Sequence, residues 1–81
     1  MKISVRLFAR ARDLAGADST ELSCPEGATI RELKQLLIEQ HPALKPMIDS
    51  LLIAVDRDFA NEDFILTEGS EVACFPPVSG G

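Results

Sequence analysis

The chain has 81 residues and 46% hydrophobic content, enough for one compact unit and too little for a second domain. Thirteen Asp and Glu against eight Lys and Arg give a net charge of −5 at pH 7, which repels a phosphate backbone and excludes nonspecific nucleic-acid binding as a first expectation. Two cysteines are too few for a disulfide framework, no apolar run approaches the roughly 18 residues of a membrane span, and no charged-then-apolar export segment opens the chain, so a cytoplasmic protein with protein partners is expected.

A chain this short hides only about 60% of the surface its unfolded form exposes, so its apolar residues must serve one economical core. The charge is uneven. Residues 1 to 46 carry a net +1 and residues 47 to 81 a net −6, so the second half reads either as a solvated acidic face or as a match for a basic partner surface.

Ile3, Val5 and Leu7 alternate with Lys2, Ser4 and Arg6, the period of an amphipathic strand. Ala9-Arg10-Ala11-Arg12-Asp13-Leu14-Ala15 holds good helix formers and stops at Gly16, which predicts a short helix. Thr20, Leu22 and Cys24 alternate again and predict a second strand, antiparallel to the first, ending at Pro25-Glu26-Gly27.

Thr29-Ile30-Arg31-Glu32 has capping-box spacing and starts the main helix. Ile30, Leu33 and Leu37, widened by Leu36 and Ile38, form its apolar stripe, with Arg31, Lys34, Gln35 and Glu39 expected on the opposite, polar side. Pro42 ends or redirects it, and Met47-Ile48-Asp49-Ser50 is expected to add a helical turn.

Leu51-Leu52-Ile53-Ala54-Val55 reads as a central strand leading into a polar turn at Asp56-Arg57-Asp58. Residues 59 to 66 are weakly patterned, with room for one very short strand and with Phe59, Phe64, Ile65 and Leu66 available to cover the core. Thr67-Glu68-Gly69-Ser70 is a turn before the last strand, Glu71-Val72-Ala73-Cys74-Phe75. The order predicts an α+β fold of the ubiquitin-like, β-grasp type: a mixed sheet packed against one main helix, with first and last strands as a parallel pair.

The domain is expected to span residues 1–75 and an extended tail residues 76–81. With Val72 and Cys74 facing the core, alternation turns Phe75 outward as a partner-binding anchor, unless local twist folds it back onto the domain. Pro76-Pro77 cannot donate to a ladder and ends the sheet. From Phe75 to Gly81 the tail advances six residues, up to roughly 20 Å when fully extended. Gly80 and Gly81 carry no side-chain bulk to obstruct a narrow channel, and the free carboxylate leads. That carboxylate is ionised at neutral pH and is a poor acyl donor until something activates it.

Phe75-Pro76-Pro77-Val78-Ser79-Gly80-Gly81, following the Gly-Ser-Glu-Val turn and strand, resembles the terminus of the MoaD family of sulfur carriers, the small subunits of molybdopterin synthase. Leu7-Phe8-Ala9-Arg10-Ala11-Arg12-Asp13 is similar to that family's first strand and turn, and length and strand order agree across nearly the whole chain. Ser79 stands where Thr is frequent, and Asp56 where many relatives have Asn.

The resemblance implies that Gly81 is adenylated by an ATP-dependent, ubiquitin-activating-like adenylyltransferase (MoeB-like). A sulfur donor protein then supplies the sulfur that converts it to a thiocarboxylate. The tail, Pro76, Pro77, Val78, Ser79 and Gly80, inserts into a large synthase subunit (MoaE-like), where sulfur passes to cyclic pyranopterin monophosphate. Two rounds build the dithiolene of molybdopterin. No stably bound cofactor and no metal are expected on this chain, and ATP belongs to the activating partner.

Two alternatives share the activated glycine: a thiamine-pathway sulfur carrier and a ubiquitin-like protein modifier. A third is a noncatalytic interaction domain. The remaining ionisable residues suggest no self-contained active site. Asp56 and Asp58 read as a polar turn, His41 as a helix end, and Cys24 and Cys74 as buried thiols; no phosphate-binding glycine loop is present.

Overall fold

The computed structural model describes residues 1–77, and it realises the first alternation directly. In β1 (Lys2–Leu7), Ile3, Val5 and Leu7 are buried and their neighbours exposed. α1 (Ala9–Ala15) follows and ends on Gly16 at φ 73°, a left-handed cap whose N–H returns to the Arg12 carbonyl. β2 (Ser19–Ser23) pairs antiparallel with β1, Val5 opposite Thr20 and Ile3 opposite Leu22.

α2 (Ile30–Gln40) begins with the expected capping box. The Glu32 N–H donates to Thr29 Oγ1 and the Thr29 N–H to Glu32 Oε1, both at 3.3 Å. Ile30, Leu33 and Leu37 are buried as the stripe required, with Leu36 and Ile38 packed partly against the core. Lys34 departs from the expected polar side and is buried. Its stem lies against the protein, while Nζ reaches Glu62 Oε1 at 3.2 Å, an arrangement open to a long amphipathic side chain. Arg31 joins the same carboxylate through Nε at 3.4 Å and meets Asp63 at 3.0 Å. The helix is thereby tied to a segment that periodicity left undefined.

The two prolines do not break the chain into separate pieces. Pro42–Ser50 is one 3₁₀ stretch that buries Leu44 and Ile48, since the tighter i→i+3 pattern tolerates the missing N–H groups. β3 (Leu52–Val55) and the two-residue β4 (Asp58–Phe59) form a hairpin, and β5 (Glu71–Phe75) is the last strand.

The sheet order is β2-β1-β5-β3-β4. The middle position belongs to β5, with β1 beside it in parallel and β3 antiparallel. β3, expected as the central strand, lies between β5 and the short β4. On one sheet face Val5, Leu7, Val72, Cys74, Ile53 and Val55 meet Leu33 and Leu37 of α2 in a single core. This is the ubiquitin-like β-grasp arrangement expected from the sequence.

Of the four hydrophobic residues assigned to cover the core between 59 and 66, only Leu66 does so; Phe59, Phe64 and Ile65 are exposed. The short strand in this region falls at Asp58–Phe59, and Ile65 makes only an isolated bridge to Thr29. Backbone bonds from Ile30 to Phe64 and from Leu66 to Ala28 hold the segment along the start of α2. They set its position while leaving the Phe64 and Ile65 side chains exposed.

Two outcomes test this packing. Leu33→Ala, at a fully buried position, should cost about 2–5 kcal/mol in urea denaturation, whereas Thr29→Ala should cost about 1 kcal/mol through the lost cap. Burial pushes the Cys74 thiol up from 9.0 to about 12, with the nearby Lys34 charge opposing. The unfolded chain releases this proton first, so stability attributable to Cys74 is intact below pH 9 and falls as pH rises from 9 towards 12. Cys74→Ala should remove that part of the alkaline slope in melting curves recorded across the window.

Candidate functional site

The face of the sheet opposite α2 is built by the other phase of the same strands. Arg6 of β1, Ala73 and Phe75 of β5, and Leu52 and Ala54 of β3 point away from the core, and Phe8 continues β1 by one step. The parallel register pairs Leu7 with Cys74, and the Phe8 N–H donates to the Cys74 carbonyl at 3.2 Å. Phe8 is therefore held beside Phe75. Their rings stack at 4.8 Å with an interplanar angle of 10°.

Ala9, directly after Phe8, takes φ 53°. This left-handed turn carries the chain off the sheet while Phe8 remains on it. On the other side of β5, Leu52 lies opposite Phe75, and Ala54 lies opposite both Ala73 and Phe59. Phe59 meets Phe75 edge-on at 6.5 Å and 69°.

These contacts enclose an apolar depression of about 480 Å³ lined by Phe8, Ala9, Leu52, Phe59, Phe75, Pro76 and Pro77. Phe59 is 74% exposed and Leu52 41%. A contiguous exposed apolar surface of this kind makes this face the candidate interaction site. Phe75 has the outward orientation expected of an anchor. It acts within a cluster, with Phe8 on one side and Phe59 on the other.

β5 ends at Phe75, and Pro76 and Pro77 line the same depression. The tail thus leaves the sheet at the aromatic face. Val78, Ser79, Gly80 and Gly81 lie outside the described residues.

Phe8 was legible as an outward position one step beyond Leu7, had the β1 alternation been extended. Phe59 is not legible in this way, because a two-residue strand has no measurable period to show which face its ring takes. The other residues considered for chemistry have structural places. Asp56 Oδ1 accepts the Glu71 N–H at 2.9 Å, and His41 Nε2 lies 3.1 Å from Thr20 Oγ1, which also accepts from Gln40 at 2.6 Å. Cys24 and Cys74 are buried and unpaired. Among the described residues no three His, Cys, Asp or Glu side chains converge as a metal site, and no helix is long and apolar enough to cross a membrane.

The sequence pattern of the ThiS family matches residues 5–81. The chain belongs to the ThiS family. The molybdopterin synthase sulfur carrier subunit of Escherichia coli (strain K12) is 41% identical over 81 residues, covering 98% of this chain and 99% of that protein. A candidate molybdopterin converting factor subunit 1 from Pyrococcus furiosus superposes with a TM-score of 0.88 at 36% identity, over 96% of this chain and 99% of the other. SAMP1, the small archaeal modifier protein 1, of Haloferax volcanii superposes with a TM-score of 0.91 at 27% identity, over all of both chains. This family member therefore has its aromatic cluster where the tail leaves the sheet.

A double-mutant cycle tests the cluster. Phe8→Ala and Phe75→Ala, studied singly and together by urea denaturation, should show a coupling of roughly 0.5–1.5 kcal/mol for a stacked pair. Phe59→Ser, at an exposed position, should change stability by no more than about 0.5 kcal/mol.

Proposed function

We propose that this chain is the sulfur-carrier subunit of a molybdopterin synthase, with the aromatic face as its docking surface and Gly81 as the group that carries sulfur. The observation that carries this reading is the joining of two features. The depression around Phe75 includes Pro76 and Pro77, so a protein seated there also receives the root of a tail that ends in Gly80 and Gly81.

The chemistry is divided between chains. On a ubiquitin-activating-like adenylyltransferase, the Gly81 carboxylate attacks the α-phosphorus of ATP and pyrophosphate leaves. The terminal sulfur of a donor-protein persulfide then attacks the acyl carbon and AMP departs, and a thiol reductant cleaves the resulting acyl disulfide to free the thiocarboxylate and return the donor's thiol. In the large synthase subunit this sulfur passes to cyclic pyranopterin monophosphate, and two rounds complete the dithiolene. The carrier binds, orients and delivers. Gly80 and Gly81 admit the tail to a channel too narrow for side chains, and Pro76 and Pro77 restrict its exit direction.

A second reading, conjugation of Gly81 to protein lysines, is favoured by the similarity to the archaeal modifier. It requires Gly81-dependent adducts in cells that survive SDS. The thiamine alternative is separated by product: with a large synthase subunit present, the charged carrier should yield molybdopterin rather than thiazole.

Intact mass spectrometry after incubation with the activating protein, ATP and a sulfur source should show one oxygen replaced by sulfur at Gly81. Demonstrably active partners that leave the mass unchanged would sink the carrier assignment. Deleting Gly81 should abolish the product and leave the fold and docking unaltered. Phe75→Ala should weaken docking by about 1–3 kcal/mol in isothermal titration, the scale of a lost aromatic anchor.

A further inference from the structure

Beside the aromatic cluster the same sheet face continues into a groove of about 420 Å³ whose lining includes Arg6, Arg57, Ala54, Phe59, Phe75 and Glu71. The Arg6 guanidinium carbon sits 5.5 Å from the centroid of the Phe8 ring, so this cation is held against the cluster by its attraction to the ring face. A planar guanidinium stacked in this way keeps N–H groups at its edge for a carboxylate.

Arg57 reaches the groove from the β3–β4 turn. Asp56 and Arg57 take φ 49° and 77°, the two positive values of a two-residue hairpin turn, where the second position normally falls to Gly. Arginine there costs on the order of 1 kcal/mol. The turn is braced to β5: the Asp56 N–H donates to the Glu71 carbonyl at 2.8 Å, and Asp56 Oδ1 accepts the Glu71 N–H at 2.9 Å. A strained position is thus held rigidly, with Arg57 lining the groove beside the aromatic cluster.

Among the described residues neither Arg6 nor Arg57 has a carboxylate partner, whereas Arg12, Arg31 and Lys34 do. Glu71 also lines the groove, so its walls carry two positive charges and one negative. On a chain of net charge −5, this is a locally cationic site continuous with the docking surface. Lys2, Arg10 and Lys45 also make no ion pair among the described residues, but Arg6 and Arg57 are the two cations that share a groove with the aromatic cluster.

We propose that this groove receives an Asp or Glu side chain of the protein docked on the aromatic face, and that Arg6 and Arg57 select partners carrying an acidic residue beside an apolar one. The inference rests on the docking reading above. Apolar contact supplies the anchor, and the guanidiniums supply orientation and encounter rate, the usual division between buried aromatic and rim charge contacts.

The test measures affinity of the full chain for the large synthase subunit at about 50 mM and about 500 mM salt, across which screening of exposed charges becomes strong. Arg57→Gly is the informative single variant. It relieves the positive φ, so it should raise the melting temperature while it lowers affinity.

Combined with Arg6→Gln, it should reduce affinity roughly 2- to 10-fold at low salt, the scale of one or two exposed ion pairs, and the deficit should vanish at high salt. Phe75→Ala should lose affinity at both salt concentrations. If the double variant binds like the wild type while Phe75→Ala binds weakly, the groove contact is wrong and the aromatic docking stands. A Phe75→Ala chain of undiminished affinity overturns the docking reading itself. An equal deficit of the double variant at both salts contradicts an ionic contact. Self-association of the free chain that the double variant abolishes would give the groove to a second copy and overturn the partner assignment.

Discussion

The parallel pairing of β1 with β5 is the constraint on which both faces of the molecule depend. With Val5 opposite Val72 and Leu7 opposite Cys74, the inward phase of both strands is apolar and closes onto α2. The same register brings Phe8 and Phe75 side by side on the outer face. A slip of one residue by either strand would turn that strand over, placing Arg6 of β1 or Ala73 of β5 against the helix. Core stability and the geometry of the docking surface are therefore set by one set of backbone hydrogen bonds.

The two tasks of the proposed carrier make opposite demands on a chain. Docking requires side chains in fixed positions, and the cluster around Phe75 is fixed by a sheet strand, a left-handed turn at Ala9 and a braced hairpin at Asp56. Delivery through a narrow channel requires little side-chain bulk, and the sequence ends in Gly80 and Gly81. Pro76 and Pro77 stand between these regimes: without N–H groups they end the ladder, yet their rings still contribute to the apolar surface. Asp56 and His41 are engaged in hydrogen bonds within the fold and both cysteines are buried, so the proposed scheme assigns activation of the terminal carboxylate to partner chains.

Most of the fold was legible because its signals are local. Alternation in residues 2–7 and 71–75, the capping box at Thr29 and Glu32, and Gly16 as a helix stop each act through nearest neighbours. The segment from Phe59 to Leu66 was opaque for the opposite reason. Its position depends on long-range bonds to Ala28, Ile30 and Arg31, and a two-residue strand has too little period to indicate which way Phe59 points. Lys34 departs from the helical wheel because a wheel treats lysine as polar throughout, whereas its stem is buried and Nζ meets Glu62. Within the site, Phe75 followed from alternation and the tail from the resemblance it carried. The cluster that joins Phe8, Leu52 and Phe59 to Phe75 arises from pairing between strands remote in sequence, which no local pattern encodes.

The most direct measurement of the central claim is an NMR titration of the isotopically labelled chain with the unlabelled large synthase subunit, following backbone amides and aromatic rings together. Perturbations should concentrate on Phe8, Leu52, Phe59 and Phe75 and extend to the amides of the tail glycines, while the exposed side of α2 and residues 62–66 stay unchanged. Perturbations confined to α2 and residues 62–66, with the aromatic rings unmoved, would contradict it.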